Sequence, residues 1–116
     1  MTLDAFIENK NIRNVWIQEH GIDVYVRKSL RMLDAKTPTA TPCLDIGSVE
    51  VDEDHRGEGI FKAFLKRFEK EAKKLNRAVY VESILNPRLQ KFLETQGYAV
   101  VRNSSELSPN MFKFPA

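Results

Sequence analysis

The sequence has little that could tie a chain together covalently. Among its 116 residues there is one cysteine, Cys43, which excludes an internal disulfide and a thiolate-rich metal site and points to a reducing compartment. Histidine is equally scarce: His20 at a turn and His55 before a glycine-containing loop are far from metal-ligand spacing, so no metal is expected. Long apolar runs are missing. The stretch Met1 to Phe6 carries an early acid, Asp4, and neither a secretory signal nor a transmembrane segment is visible. The expectation is a cytoplasmic protein with no membrane partner. Charge of one sign is also lacking, because 18 Lys and Arg face 16 Asp and Glu. A net +2 is too weak to demand an anionic partner, so no nucleic acid is expected.

What remains is ordinary globular material. A hydrophobic fraction of 42% beside 29% charged residues matches chains that fold around a core, and the length predicts one domain over residues 1–116. Asn14 to His20 and Ile22 to Leu33, broken at Gly21, are rich in Val, Ile, Trp and Tyr and predict an antiparallel strand pair. Trp16 and Tyr25 are read there as sheet packing. Lys36 to Pro42 reads as a connector, and Leu44 to Val51 as a third strand ending at the acidic turn Asp52-Glu53-Asp54.

From Gly59 the period changes. Ile60, Phe64, Leu65, Phe68, Ala72 and Leu75 recur at steps of three and four, which predicts an amphipathic helix with its lysines on a solvated face. Ala78 to Ile84 predicts a buried strand. Asn86-Pro87 predicts a helix start, with Asn as cap and Pro at the first position, and Gly97 fits the position after its end. Tyr98 to Val101 and Met111 to Phe114 resume extended patterns, and Leu3 to Ile7 has room for one short helix. The order mixes an antiparallel meander with a helical crossover between parallel strands: an α/β mixed sheet flanked by helices.

The chemistry is read from the junction of the third strand and the long helix. Backbone N–H groups at a helix start have no intrahelical acceptor, and the helix dipole adds partial positive charge there. Gly57 and Gly59 expose that backbone, and Arg56 adds a full charge and several donors, so the segment predicts a phosphate or diphosphate site. A nucleoside triphosphate loop would need Gly-Lys-Ser/Thr, whereas Ile60-Phe61 follows Gly59. A dinucleotide loop would need a third glycine where Lys62 stands.

The same residues resemble the coenzyme A loop of the GNAT superfamily, the GCN5-related N-acetyltransferases, whose pattern is Gln/Arg-x-x-Gly-x-Gly/Ala. Arg56 and Gly59 match it; Phe61 departs, standing where the family has a small residue. The likeness runs from Leu44 to Val101, including Asn86 followed eleven residues later by Gly97-Tyr98. It implies a mostly antiparallel sheet split between the family's fourth and fifth strands, here Leu44 to Val51 and Ala78 to Ile84. It implies acetyl-CoA as co-substrate, no metal cofactor, and transfer of the acetyl group to a primary amine by direct attack. The coenzyme arm would then meet the backbone at Val49 and Val51, and the diphosphate the amides of Arg56, Gly57, Glu58, Gly59, Ile60 and Phe61. Asn86 would lie near the arm, or serve only as helix cap.

Amine acetylation needs a base and an acid. Asp45, Glu50 and Glu82 are candidates for the base; Asp45 aligns with the glutamate that serves the histone-acetylating branch, and Asp45 and Glu82 are the catalytic expectation. Many family members carry the acid as a tyrosine seven residues after the Asn, where this chain has Leu93. Water or another group then protonates the thiolate, or the chain is a coenzyme-binding or regulatory protein with weak or absent turnover. Tyr98, Tyr80 and Cys43 are read as packing. The family's acceptor wall is represented only by Met1 to Arg13, which implies an open cleft for a small-molecule, peptide or protein amine, or completion by a second copy in a homodimer.

Overall fold

The computed structural model describes residues 1–33, 39–55, 57, 59–84, 86–102 and 104–115, with His55 described by its backbone alone. Arg56, Glu58, Lys36 to Pro38 and the His55 side chain, all named above, lie outside the described residues.

Three helices and six strands follow in the expected order: α1 (Leu3–Glu8), β1 (Asn14–Glu19), β2 (Ile22–Arg31), β3 (Thr41–Val51), α2 (Ile60–Leu75), β4 (Ala78–Val81), α3 (Pro87–Thr95), β5 (Ala99–Val100) and β6 (Met111–Lys113), with a 3-10 turn at Glu53–His55 before α2. They form one sheet in the order β1-β2-β3-β4-β6-β5. Only β3 and β4 run parallel, joined by the α2 crossover; the other neighbours are antiparallel. No helix among the described residues is long and apolar enough to cross a membrane.

The helical period predicts the core face of α2 well. Phe64, Leu65, Phe68 and Ala72 are buried, and the Phe64 and Phe68 rings stack with centroids 5.8 Å apart. Asn76 stops the helix in a left-handed conformation at φ 55°, and Arg77 N–H donates to the Ala72 carbonyl at 2.9 Å. On the solvated side, Arg67 forms a two-pronged pair with Glu19 of β1 at 2.7 and 3.0 Å. That contact holds the Glu19 carboxyl below its ordinary proton affinity.

Leu3 and Phe6 of α1 and Leu93 of α3 join the α2 side chains, Val24, Val26, Leu44, Ile46, Val79 and Val81 in the main core. A smaller core of Leu33, Cys43, Ala78, Tyr80, Val101 and Phe112 lies on the opposite face of the sheet. There Cys43 is fully buried, and burial followed by the charge of Asp45 pushes its thiol up to about 12. A thiol so held is a packing group.

The feature that positions the site is a break in strand pairing. β3 and β2 are in register up to Tyr25 opposite Ser48, then resume with Val26 opposite Ile46, so Gly47 is an extra residue in β3. This bulge moves the core-facing set of β3 from Leu44 and Ile46 to Val49 and Val51. It lies beside the point where β3 leaves β4. Their ladder runs from Cys43 opposite Ala78 to Ile46 opposite Val81 and ends with Glu82 N–H donating to the Ile46 carbonyl at 3.0 Å. Beyond it the chain after β4 bonds elsewhere: Ser83 N–H donates to Asn110 Oδ1 at 2.7 Å and Ile84 N–H to the Pro109 carbonyl at 2.9 Å. With β3 bent by the bulge and the β4 extension held by residues 109–110, the two strands splay.

Candidate active site

The splay opens a cleft of about 300 Å³ walled by Gly47, Ser48 and Val49 on one side and Glu82, Ser83 and Ile84 on the other, with Asn86 and Leu89 at its end. A second hollow of about 490 Å³ begins where the first ends, sharing Asn86 and Leu89, and runs past Val51, Gly57 and Gly59 over the first turn of α2. An elongated molecule laid through both would pass from between the strands to the front of the helix.

That helix end has the character the sequence predicts. Gly59 caps it at φ 74° and Gly57 stands at φ 84°, a left-handed backbone that side-chain-bearing residues resist. A Cβ at either position would meet nothing within 4 Å, so here the glycines supply conformation and an open approach. No side chain caps the helix, and its first turn contains no acid to neutralise the free amides. Ile60, Phe61 and Lys62 line this hollow. Phe61 is half-buried against the main core, which accommodates a large ring where the family pattern has a small residue.

Two cations line this hollow that the sequence does not mark as site residues: Lys62, which its period puts with the solvated lysines, and Arg88. The signal for Arg88 is its place two residues after a helix-capping Asn. Asn86 is that cap, its Oδ1 accepting from Arg88 N–H at 2.9 Å, and it also stands at the junction of the two hollows.

The two carboxylates expected to act as bases occupy different environments. Glu82 is partly exposed and lines the cleft, and its Oε2 accepts from Arg27 Nη2 at 2.8 Å. Asp45 is fully buried and is not among the cleft-lining residues. Its Oδ1 accepts from Ser29 Oγ at 2.8 Å and its Oδ2 from Arg31 Nη2 at 2.7 Å. Arg27 Nε approaches the same Oδ2 to 3.3 Å but is not aligned for a hydrogen bond, and it is the one buried side-chain nitrogen or oxygen among the described residues without such a bond. Arg31 also lies 4.0 Å over the Tyr80 ring. Arg27 therefore ties the buried carboxylate to the one in the cleft.

No tyrosine lines either hollow among the described residues. Leu93 is buried in the core, and the Tyr98 hydroxyl donates to Glu69 Oε2 at 2.8 Å. Burial and that hydrogen bond raise the Tyr98 phenol far above its ordinary value, so it keeps its proton.

Gly47 is where the cleft and this charged network touch. An added Cβ would stand 3.0 Å from Tyr25 Cδ2 and 3.3 Å from Arg27 Nη2. Gly47→Ala is expected to cost about 1–2 kcal/mol through crowding of the ring, and to displace Arg27 from Glu82. Denaturant unfolding checks the first effect, and a crystal structure of the variant the second.

Residues 13–98 match the acetyltransferase (GNAT) family. Among solved structures, AtaT complexed with acetyl-methionyl-tRNAfMet superimposes with a TM-score of 0.65 at 14% identity, covering 80% of this chain and 61% of that one. A tyrosine-to-phenylalanine variant of the AtaT toxin, bound to the C-terminus of the antitoxin AtaR and acetyl-CoA, gives 0.63 at 14%, covering 81% and 58%. A KacTA–DNA complex gives 0.58 at 15%, covering 81% and 58%. No curated protein matches the chain. The chain spans about three fifths of the length of these AtaT structures, and at such identity the likeness is one of fold. Two of the three contain nucleic acid, so a weak net charge does not by itself exclude that kind of partner for this fold.

Proposed function

Because this chain belongs to the GNAT family of acetyltransferases, we propose that it binds acetyl-CoA along the two joined hollows and passes the acetyl group to a primary amine by direct attack. The observation that carries this reading is the meeting of the strand cleft and the α2 hollow at Asn86 and Leu89. The diphosphate would rest on the amides from Arg56 to Phe61, with Lys62 and Arg88 as counter-charges. The thioester arm would lie between the splayed strands against the backbone of Val49 and Val51, beside Asn86.

In this reading Glu82, which lines the cleft, accepts the proton from the amine. Asp45 would act as a positioning residue, holding Arg27 against Glu82. The nitrogen lone pair then attacks the thioester carbonyl, the C–N bond forms as the C–S bond breaks, and the departing thiolate takes its proton from water. The last step has no side-chain acid assigned, and it keeps a second reading in play: a coenzyme-binding protein with slow or absent turnover, favoured by the buried Leu93 and the engaged Tyr98 hydroxyl.

Calorimetry with acetyl-CoA, CoA and ATP separates these from an unrelated anion site. Both coenzyme forms are expected to bind alike and ATP much more weakly. Thiol release in the presence of pooled amines, peptides and aminoacyl-tRNA then separates transfer from binding alone. Equal binding of all three ligands would remove the coenzyme assignment.

A further inference from the structure

The face of the sheet opposite the helices carries an exposed aromatic row that leads into the cleft. Trp16 of β1 pairs in register with Tyr25 of β2, their ring centroids 5.5 Å apart, and Trp16 remains 43% exposed. The Tyr25 ring rests on the β3 backbone at Gly47, where a Cβ would lie 3.0 Å from it. Gly47 is itself a wall of the cleft, and Arg27, 5.7 Å from the Tyr25 ring centre, holds Glu82 at the same mouth. A large exposed tryptophan on a strand is ordinarily a lost opportunity for burial; here it extends the reactive cleft outward.

Beside this row runs an acidic one. Asp23 of β2 stands directly opposite Glu50 of β3, on the same face as Tyr25 and Ser48. Like charges in directly opposed positions are destabilising in a sheet. Among the described residues no ion pair forms to either carboxylate, and Arg27 and Arg31, the cations of this face, are committed to Asp45 and Glu82. The surface thus offers two tilted aromatic rings, 48° apart in plane, flanked by two carboxylates that no described cation pairs. It repels a phosphate backbone and suits a chain that brings an aromatic ring and positive side chains.

We infer that the acceptor is a basic peptide, whose amine enters the cleft at Glu82 while an aromatic side chain packs against the exposed Trp16 ring in the angle it makes with Tyr25 and its lysines or arginines lie against Asp23 and Glu50. The inference rests on the acetyl-transfer reading above and adds the class of acceptor. From Gly47 to Trp16 is two strand spacings, about 10 Å, which an extended peptide covers in about three residues. The ring therefore belongs three residues beyond the amine.

Trp16 is the only tryptophan in the chain, so its fluorescence reports on this surface alone. The probe is the hexapeptide amide Ala-Gly-Ala-Phe-Lys-Lys, titrated with and without CoA. A saturable change is expected, weakened about tenfold when Phe is replaced by Ala and again when both Lys are replaced by Glu, in line with about 1.4 kcal/mol for each contact. Equal binding of the three peptides would overturn the inference, as would no peptide response, or a saturable response to a short oligouridylate in place of the peptide. By calorimetry, Trp16→Ala is expected to erase the preference for Phe, with acetyl-CoA affinity within about twofold of the parent. Glu50→Lys, at an exposed position that folding tolerates, is expected to invert the preference between Lys and Glu; an unchanged preference would also overturn the inference. The coenzyme reading is judged separately, since loss of acetyl-CoA binding would leave the peptide titration without CoA intact.

Discussion

Gly59→Val is expected to weaken acetyl-CoA binding at least tenfold by calorimetry. The native backbone there has φ 74°, and a β-branched residue resists that conformation by roughly 1–2 kcal/mol before any steric effect is added. The helix would restart with a different cap, changing the direction of the amides of Ile60 and Phe61, residues that line the hollow. Added bulk has no neighbour within 4 Å of the Cβ, so the fold itself is expected to survive with a modest fall in Tm. Gly59→Asn is the matched control, because asparagine accepts the left-handed region, and it should retain most of the affinity. If valine left both affinity and Tm unchanged, the diphosphate would have to lie elsewhere.

Asp45→Ala is expected to be the most destabilising single change of a polar residue. It leaves Arg27 and Arg31 without the carboxylate that both approach, and breaking a buried ion pair by removing one partner typically costs about 3–5 kcal/mol. The two arginine side chains are 25% and 27% exposed and can be partly rehydrated, which favours the lower end, about 3 kcal/mol or a Tm roughly 10–15 °C lower. Asp45→Asn keeps the Ser29 hydrogen bond and should cost less. These variants also separate two roles. A positioning residue loses stability and turnover together, and adding Arg27→Lys should worsen both. A proton acceptor would lose turnover in the Asn variant while its unfolding curve stayed near the parent's.

Much of the site was legible because its signals are local. The α2 period, Asn86 before Pro87 and the glycines ahead of Ile60 each describe a few consecutive residues whose own backbone bonds decide the outcome. Strand boundaries were legible to within a few residues; β2 ends at Arg31 where Leu33 was expected, and β5 shortens to Ala99–Val100. The bulge has a faint trace in the sequence. Alternation of apolar residues runs Leu44, Ile46, then Val49, Val51, a slip of one at Gly47. Lys62 and Arg88 were hidden for a different reason: a long flexible cation on a helix looks the same from sequence whether it faces water or lines a hollow.

The choice between Asp45 and Glu82 shows the limit most clearly. Both are acids on strands predicted from sequence, beside apolar residues, and nothing in their local sequence separates them. What separates them is Arg27 and Arg31 on β2, fourteen to fifty-five residues away along the chain, together with the parting of the two strands at Glu82, whose N–H makes the last bond to β3.

The sequence by itself therefore determined where a helix begins with bare amides and which side of it meets the core, since each depends on spacing within one or two turns. Tertiary structure alone decided that two strands part beside that helix, that one acid is sealed in by arginines while the other faces the cleft, and that Trp16 and Tyr25 form a row leading to it. These depend on cross-strand register, which is set by pairing between distant segments and is shifted along a whole strand by one extra residue.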